Sequence, residues 1–356
     1  MKIERATVRQ VSFPLSVPYK LATADLYEFT PFVLEFNDAD GRSGWGEALI
    51  ITGYTEETVE GSWRTAIELA QRLKGIQLKD AAAIVDTYAN AHPGVVSATH
   101  AALDMLRDPS PFWTDKDLHV PLLAPCQAHE KHEIREEVEQ LLEAGFKTFK
   151  IKVGYAWQDD LERMEHIQSC VAGRASLRLD ANRSFSRADG QSFASHLDPR
   201  GIELLEQPCA ADDWEANAQV AAVSTVPIML DESIYGVADI DRAAAIPNVS
   251  FVKLKLKKIG SAEQLTAALQ RIRTQGMTPV LGDGVSIELG CWMEACVAAQ
   301  CIDNAGEMNG FLKARTRLFG NPLPFNQGAI RLPAKYWPQV DRAVLDAHTL
   351  RTHSIT

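Results

Sequence analysis

The sequence has no long apolar run, no basic patch of the kind that binds nucleic acid, and few cysteines. A helix that crosses a bilayer needs about 20 apolar residues in a row, and no stretch of this chain reaches that length. The formal net charge of −11 disfavours nucleic acid, a polyanion, as a partner. Residues 1–5 are charged and begin no apolar leader, and the six cysteines show no pairing pattern. We therefore expect a cytoplasmic protein with neither membrane nor nucleic acid partners.

What the chain does have is length and an ordinary globular composition. Its 356 residues are 46% hydrophobic and 23% charged, which is enough to form the cores of two domains. Residues 1 to about 115 combine short alternating strands, such as 32–36 and 43–47, with later helical stretches. That part predicts an α+β domain. From about residue 116, strands and helices alternate, which is typical of a (β/α) fold.

The central pattern of the second part is a short apolar run, residues 148–154, that carries two lysines. Lys150 and Lys152 are two residues apart, so in a strand their side chains project from the same face. Buried lysines destabilise a fold unless acidic groups compensate them. We therefore expect this strand to lie close to carboxylates from neighbouring strands.

Such carboxylates end several apolar runs at regular spacing. Starting from Lys152, the positions 180, 206, 231, 255 and 283 are separated by roughly 25 residues, about one strand, one helix and their loops. That repeat predicts a barrel whose strand ends meet at one mouth. Asp180, Glu206 and Asp231 would then lie together, and three carboxylates suit a hard divalent cation such as Mg²⁺.

In this order, the motifs resemble those of the enolase superfamily, in particular its muconate-lactonizing-enzyme-like subgroup. They are Lys150-Ile151-Lys152, Asp180-Ala181-Asn182, Glu206-Gln207-Pro208, Asp231-Glu232-Ser233 and Lys255. The resemblance covers nearly the whole chain. It implies an α/β fold with a modified (β/α)7β TIM-like barrel over residues 116–322 and an α+β capping domain over 1–115. A C-terminal segment, 323–356, would return to the capping domain.

The resemblance also implies the chemistry of the site. The superfamily removes the proton next to a carboxylate of a small molecule, and a divalent cation stabilises the enediolate that forms. Mg²⁺, for which Mn²⁺ is a possible substitute, would be held by the three carboxylates named above. Lys152 would act as one acid/base, and Lys255 would face it across the barrel. Lys150 would interact electrostatically with the substrate carboxylate.

Two lysines on opposite faces of one carbon permit several reactions, and the sequence does not distinguish among them. One lysine can remove a proton and the other return one, which gives racemisation or epimerisation. The same pair permits β-elimination, such as dehydration, and cycloisomerisation. The first hypothesis is racemisation or dehydration of a small amino or imino acid such as a hydroxyproline, because Asp283 would present an acid to the site. No arginine clamp for a larger acid is evident.

Dipeptides and N-acyl amino acids are alternative substrates of the same subgroup. Dipeptide epimerases of this family carry an Asp-X-Asp pair at the eighth strand that holds an ammonium group. Here residues 307–311, which predict a weak eighth strand, lack that pair. Dipeptides are therefore less favoured than small acids.

Further residues are expected around the mouth of the barrel. In the superfamily, two loops of the capping domain cover the mouth, and in this chain they would be residues 21–27 and 51–57. Substrate contacts are predicted from Thr52 and Tyr54 in the second loop and from Asn182. Asp283 would receive a substrate ammonium or leaving hydroxyl group, or would serve as a turn residue.

Three more lysines accompany Lys255 on and after the sixth strand. Lys253 is expected to lie deeper in the barrel, at a position where the family usually has a small or amide residue, and to pair with Glu206 or Asp231. Lys253, Lys255 and Lys257 alternate, so in a strand all three would face the same way; alternatively, Lys257 and Lys258 lie on a solvated approach to the next helix.

Two other classes of protein remain open. A Schiff-base lyase on a barrel would use Lys152 or Lys255 but would not need three carboxylates. A non-catalytic binding module on the same fold would have little reason to retain buried like charges that destabilise it. Barrels of the superfamily often form even-numbered oligomers, so we expect a homo-oligomer.

Overall fold

The computed structural model describes residues 1–20 and 25–356, which form one large parallel sheet and smaller antiparallel sheets. The strands are β1 (Ile3–Val11), β2 (Phe13–Lys20), β3 (Asp25–Phe29), β4 (Phe32–Asp38), β5 (Ser43–Ala48), β6 (Leu118–Pro121), β7 (Ala124–Cys126), β8 (Thr148–Lys152), β9 (Ser176–Asp180), β10 (Ile202–Glu206), β11 (Ile228–Leu230), β12 (Val249–Leu254), β13 (Thr278–Leu281), β14 (Phe325–Asn326), β15 (Ala329–Leu332) and β16 (Thr349–Ile355).

Helices separate most of these strands. They are α1 (Val59–Leu73), α2 (Leu78–Asp86), α3 (Pro93–Arg107), α4 (Lys131–Glu143), α5 (Trp157–Val171), α6 (Arg187–His196), α7 (Trp214–Val223), α8 (Val237–Ala244), α9 (Leu256–Ile259), α10 (Ala262–Thr274), α11 (Glu288–Cys301) and α12 (Arg342–Ala347). Within the described ranges, no helix is both long and apolar enough to cross a bilayer.

The N-terminal part is an antiparallel sheet in the order β16, β1, β4 and β5, with α1–α3 packed against it. Alternate residues of β1 are buried, which is the pattern of a sheet with one face in a core. The last strand, β16, pairs with β1 in the register Ala6 to Ile355. The chain end thus joins the N-terminal sheet, while the predicted boundaries at residues 115 and 322 stay predictions.

Two glycines of β5 allow α3 to lie directly on this sheet. A Cβ atom at Gly46 would be 1.7 Å from the carbonyl oxygen of Ala98, and one at Gly44 would be 1.9 Å from that of Ala102. Both distances are far inside van der Waals contact, and the obstructing atoms belong to the backbone of a helix. Only glycine fits at these two positions, because the helix as a whole would have to move to admit a side chain.

Replacing Gly46 by alanine is expected to destabilise the protein by roughly 3 kcal/mol, at the upper end of the usual cost of overpacking. Denaturant unfolding followed by circular dichroism measures this loss. Gly236→Ala is the matched control, because Gly236 has an extended backbone and open space around its Cβ position. An equal loss of stability in both variants would contradict the close approach of α3.

The second part is a parallel sheet of seven strands that follow one another in chain order from β7 to β13. Helices α4 to α10 connect these strands, so each crossover returns the chain to the same end of the sheet. Helix α4 ends at Glu143, and Gly145 follows with φ of +89°, the left-handed conformation that is common just after a helix C-terminus. The carboxyl ends of all seven strands therefore lie at one mouth, as the predicted barrel requires.

The prediction of an eighth strand at residues 307–311 is wrong, because these residues do not form a regular strand. The chain closes the barrel at Gly306, which donates to Pro121 O and accepts from Leu123 N, both at 2.9 Å. Glu307 N then donates to Leu281 O of β13. The next amide, that of Asn309, bonds back to Glu307 O, so the chain turns instead of extending.

The first barrel strand, β7, has three residues and follows a strand of a separate sheet. β6 pairs antiparallel with β15, which in turn pairs with β14, so residues 118–121 belong to a small sheet. The parallel pairing with β8 starts at Ala124. Between them, Leu122 N donates to Gly328 O at 2.8 Å. The apolar run at 120–124 therefore bends from one sheet into the other.

Candidate active site

Three carboxylates lie side by side at the carboxyl ends of β9, β10 and β11. In the sheet register, Asp180 pairs with Glu206 on one side and with Lys152 on the other. Asp231 directly follows β11. All three acidic residues are buried, with at most 1% of each exposed. The regular spacing of strands thus brings the predicted metal ligands and Lys152 to the same mouth.

Lys150 lies deeper than Lys152 and is surrounded by acids. Its Nζ is 2.9 Å from Asp180 Oδ2, 3.1 Å from Glu206 Oε2 and 2.9 Å from Glu307 Oε2. Burial alone would lower the pKa of Lys150, but the charges of these carboxylates raise it well above its ordinary value. Lys150 is therefore a fixed cation. Its contact with a substrate carboxylate stays a prediction.

Lys253 and Glu307 form a second buried ion pair beside the carboxylates. Lys253 Nζ contacts Glu307 Oε2 and lies 3.1 Å from Glu206 Oε1 and 3.8 Å from Asp231 Oδ2. The expected pairing of Lys253 with Glu206 is confirmed. Glu307 is a site residue that sequence reasoning missed. Its position in the sequence could have identified it. Glu307 directly follows Gly306, the residue that closes the barrel, just as the other acids stand at the ends of their strands.

Lys152 is the most accessible of the lysines at the mouth, with 27% of its side chain exposed. Its Nζ donates to Asp180 Oδ2 at 2.6 Å and to Asn182 Oδ1. Asn182 in turn donates to Glu232 Oε1 at 3.1 Å. Two oxygen acceptors therefore hold the nitrogen of Lys152 at the edge of the cavity, where it can reach a bound molecule.

Lys255 lies across the barrel from Lys152, because β12 is four strands away from β8 in the sheet order. Its Nζ is 2.7 Å from Asp231 Oδ2, and only 6% of its side chain is exposed. Burial alone would lower the pKa of Lys255, but Asp231 and Glu232 raise it above its ordinary value. In this metal-free arrangement, the ion pair with Asp231 favours the ammonium form of Lys255.

The expectation that Lys257 and Lys258 lie on a solvated surface is wrong for both residues. Lys257 Nζ forms an ion pair with Asp283 Oδ2 at 2.7 Å. Lys258 Nζ donates to Asp231 O at 2.8 Å and to Asp231 Oδ1 at 3.0 Å. Burial lowers the pKa of Lys258 to about 8. The reason is that β12 ends before Lys255, and the short α9 turns both side chains inward.

The loop at residues 51–57 covers the mouth as expected, and Tyr54 is the residue that reaches the lysines. The Tyr54 hydroxyl accepts a hydrogen bond from Lys255 and lies 3.5 Å from Asp231 Oδ1. Tyr235 donates to Tyr54 O at 3.1 Å, which ties the loop to the barrel. Of the other predicted loop, residues 21–24 lie outside the described residues.

These side chains line a cleft that is open to solvent. Sites for small molecules are concave and bring a few polar groups together, as this cleft does. Every predicted substrate contact borders it, together with the two facing lysines: Thr52, Tyr54, Lys152, Asn182, Lys255 and Asp283. The geometry therefore brings the predicted substrate contacts and the two facing lysines together around one opening, which Asp180 and Glu206 do not border.

The three strand-end carboxylates have the chemistry of a magnesium site. All their donor atoms are anionic oxygens, which hard divalent cations prefer. Burial and the neighbouring Asp180 raise the pKa of Glu206 to about 7, whereas the neighbouring lysines hold the pKa of Asp231 well below its ordinary value. The ammonium groups of Lys150 and Lys253 lie between these acids. In the described ranges, no three acidic, His or Cys side chains are arranged so that they could hold a metal ion.

A family model and characterised enzymes both match this chain. A family model described as enolase C-terminal domain-like matches residues 133–336, which contain both lysine strands and the three carboxylates. The hydrophobic dipeptide epimerase of Citrifermentans bemidjiense is 29% identical over 83% of each chain. The L-Lys-D/L-Arg epimerase of Methylococcus capsulatus is 30% identical, over 84% of this chain and 85% of its own.

A solved structure has the same fold over the full length of both chains. It is the dipeptide epimerase from Cytophaga hutchinsonii complexed with Mg and the dipeptide D-Ala-L-Val, with a TM-score of 0.90, 20% sequence identity and 100% coverage of each chain. The barrel and the N-terminal α+β part are therefore one known arrangement.

Proposed function

Because this chain belongs to the enolase C-terminal domain-like family and is an enzyme of the enolase superfamily, we propose that it removes the proton α to a carboxylate. The substrate is a small amino or imino acid, and the cofactor is Mg²⁺, which Mn²⁺ can replace. The product forms by racemisation or epimerisation at the α-carbon, or by β-elimination.

One observation carries this proposal: two lysines face one cleft from opposite strands, with three carboxylates between them. Lys152 belongs to β8, Lys255 follows β12, and Asp180, Glu206 and Asp231 lie on the strands between. A flat carbon bound above the carboxylates would present one face to each lysine. That arrangement suits transfer of a proton from one face and to the other.

Each of these residues has its own role in the proposed reaction. Lys152, as the neutral amine, takes the α-proton. Lys255 is protonated and delivers a proton to the opposite face. Asp180, Glu206 and Asp231 would hold Mg²⁺, which when bound acts as a Lewis acid that stabilises the charge on the substrate carboxylate. The Mg complex of the epimerase with the same fold supports this assignment.

Dipeptides are the second candidate substrates, because relatives of this chain are dipeptide epimerases. One contact counts against them. Glu307, which lies in the region where that subgroup carries its Asp-X-Asp pair, is already paired with Lys150 and Lys253. N-acyl amino acids and cycloisomerisation follow as further alternatives, and non-catalytic binding is the most distant.

We also infer a homo-oligomeric enzyme of the cytoplasm. All six cysteines are free thiols, which fits a reducing compartment. Even-numbered assembly is frequent in the superfamily that the motifs resemble. Sedimentation at several protein concentrations measures the number of subunits, and a monomer at all of them would contradict the inference.

The test of the proposed reaction is exchange of the α-proton in D₂O. The protein is incubated with Mg²⁺ and a panel of amino acids, prolines, hydroxyprolines, N-acyl amino acids, dipeptides and sugar acids. Deuterium is expected at the α-carbon of one class of acid. The exchange should stop with EDTA and return with Mg²⁺ or Mn²⁺, because the cation stabilises the carbanion. Exchange that persists in EDTA, or a substrate trapped on a lysine by borohydride, would favour the Schiff-base lyase instead.

A further inference from the structure

The pair formed by Lys257 and Asp283 lies at the cleft but has no part in removing the α-proton. Lys257 Nζ is 2.7 Å from Asp283 Oδ2, and both residues border the cleft. Lys257 is also next to the ring of Tyr54, with its Nζ 5.3 Å from the ring centroid. The pair therefore lies on the Lys255 side of the cleft, under the covering loop.

The local backbone fixes this pair in place. Asp283 Oδ1 accepts hydrogen bonds from Val285 N at 3.0 Å and from the Ser286 hydroxyl at 3.4 Å. Burial alone would raise the pKa of Asp283, but the charge and hydrogen bond of Lys257 lower it. The acid is thus ionised, one of its oxygens is anchored to the loop after β13, and the other is directed to Lys257.

The charges of the pair select the kind of group that it can bind. A substrate ammonium would be repelled by Lys257, and a second carboxylate would be repelled by Asp283. A hydroxyl group both donates and accepts hydrogen bonds. It can therefore accept from the ammonium while it donates to the carboxylate. An uncharged hydroxyl is the substituent that satisfies both members of the pair.

We propose that Lys257 and Asp283 bind a hydroxyl group on the β-carbon of the substrate, and that Lys257 protonates this group as it leaves. This inference rests on the proposed removal of the α-proton and names its substrate class. The substrates are 3-hydroxy acids of small amino or imino type, and the reaction is dehydration.

The step balances without any oxidant or reductant. The Lys152 amine takes the proton from the α-carbon, and the electron pair of that bond forms the double bond between the α- and β-carbons. The bond from the β-carbon to oxygen breaks, and the Lys257 ammonium gives a proton to the oxygen, which leaves as water. Proton transfer from the Lys152 ammonium to the Lys257 amine through solvent restores the enzyme.

The placement of the groups also predicts the stereochemistry. Lys152 approaches from the β8 side, whereas Lys257 and Asp283 follow β12 and β13 on the far side of the barrel. The proton and the hydroxyl group therefore leave from opposite faces, which is an anti elimination. Of two diastereomers of one 3-hydroxy acid with the same α-configuration, a single one should be dehydrated.

The experiment compares two readouts on the same acids. The probes are diastereomers of 3-hydroxyproline and of 3-hydroxy amino acids, each with its 3-deoxy counterpart. NMR in D₂O measures α-exchange, and the appearance of the unsaturated product, or of the keto acid that it yields in water, measures dehydration. Lys257→Met is expected to lower the ratio of dehydration to exchange by about 100-fold or more, the loss typical of removing a general acid.

Two further variants test whether the effect is specific to the pair of Lys257 and Asp283. Asp283→Asn keeps the shape but removes the charge that positions Lys257. It should lower the ratio by about 10-fold, less than the roughly 100-fold minimum typical of removing the general acid itself. Lys147→Met is the control, because Lys147 is an exposed lysine just before β8 and has no place at the cleft. It should leave the ratio unchanged.

The outcomes separate this inference from the proposed function. If the wild-type protein exchanges α-protons but dehydrates no 3-hydroxy acid, the inference fails and the proposed function stands. The same holds if Lys257→Met and wild type show equal ratios. If the wild type exchanges no α-proton of any acid, both fail. Circular dichroism of each variant shows whether a lost ratio reflects a lost fold.

Discussion

Lys152→Ala is expected to lower turnover by about 10³-fold, within the range typical of removing a general base. The side chain contacts the cleft directly, and its nitrogen is held by Asp180 and Asn182. No other lysine in the described ranges lies at the same edge, since Lys150 is locked between Asp180, Glu206 and Glu307. Steady-state kinetics on the acid found by α-exchange measure the loss.

Lys255→Ala provides the complementary result, because each lysine serves one face of the α-carbon. With a racemisable acid, each alanine variant should still exchange the α-proton of one antipode and not that of the other. Interconversion of the antipodes should fall by about 10³-fold in both variants. Lys147→Ala is the control, since Lys147 is exposed just before β8 and points away from the site. Loss of exchange for the same antipode in both variants would contradict the two-face geometry.

Glu206→Gln is expected to weaken Mg²⁺ binding by about 10³-fold, more than the 10- to 100-fold typical of changing a residue that only supports a ligand. Glutamine has nearly the same shape but lacks the negative charge, and Glu206 is the middle acid of the three strand ends. Isothermal titration calorimetry measures binding directly. Turnover at fixed Mg²⁺ should fall with it.

Glu307→Gln is the matched control for this result. It removes one charge from the same lysine cluster but not from the three strand-end carboxylates. Its effect on Mg²⁺ affinity should stay below about 10-fold, as expected of an outer residue. Equal losses in the two variants would show that total charge, rather than the three carboxylates, determines metal binding.

The pKa of Glu206 also predicts how stability changes with pH in the absence of metal. The folded-state pKa is raised from 4.5 to about 7 by burial and by Asp180. A raised carboxyl pKa means that the folded state binds the proton more tightly than the unfolded state does. The metal-free wild type should therefore lose stability as the pH rises from 4.5 to about 7. Glu206→Gln mimics the protonated form and should show less of this loss.

The positions of the strand-end residues could be predicted from the sequence alone. A strand, a helix and their loops have a nearly constant length, so residues spaced by one such repeat must lie on neighbouring strands. Lys152, Asp180, Glu206 and Asp231 follow this repeat and adjoin one another in the structure. The alternation of Lys150 and Lys152 likewise placed both lysines on the inner face of β8.

Contacts across the barrel were decided by the tertiary structure. Lys253 pairs with Glu307, 54 residues away, and Lys255 contacts Tyr54, 201 residues away. No local pattern contains such pairs, because they depend on how the barrel closes and where the covering loop lies. Closure itself occurs through backbone hydrogen bonds of Gly306 rather than through a regular strand, which is why sequence patterns missed Glu307.

The contacts of the short helix α9, which follows β12, could not be predicted from sequence patterns. Strict alternation predicts Lys253, Lys255 and Lys257 on one face, and the polarity of Lys257 and Lys258 suggests a solvated surface. The strand instead ends at Leu254, and α9 turns Lys257 toward Asp283 and Lys258 toward Asp231. The sequence by itself determined that the strand-end residues Lys152, Asp180, Glu206 and Asp231 adjoin one another at the mouth of the barrel. Only the tertiary structure decided which charges pair there, because ion pairing depends on distances of a few ångströms between elements remote in the chain.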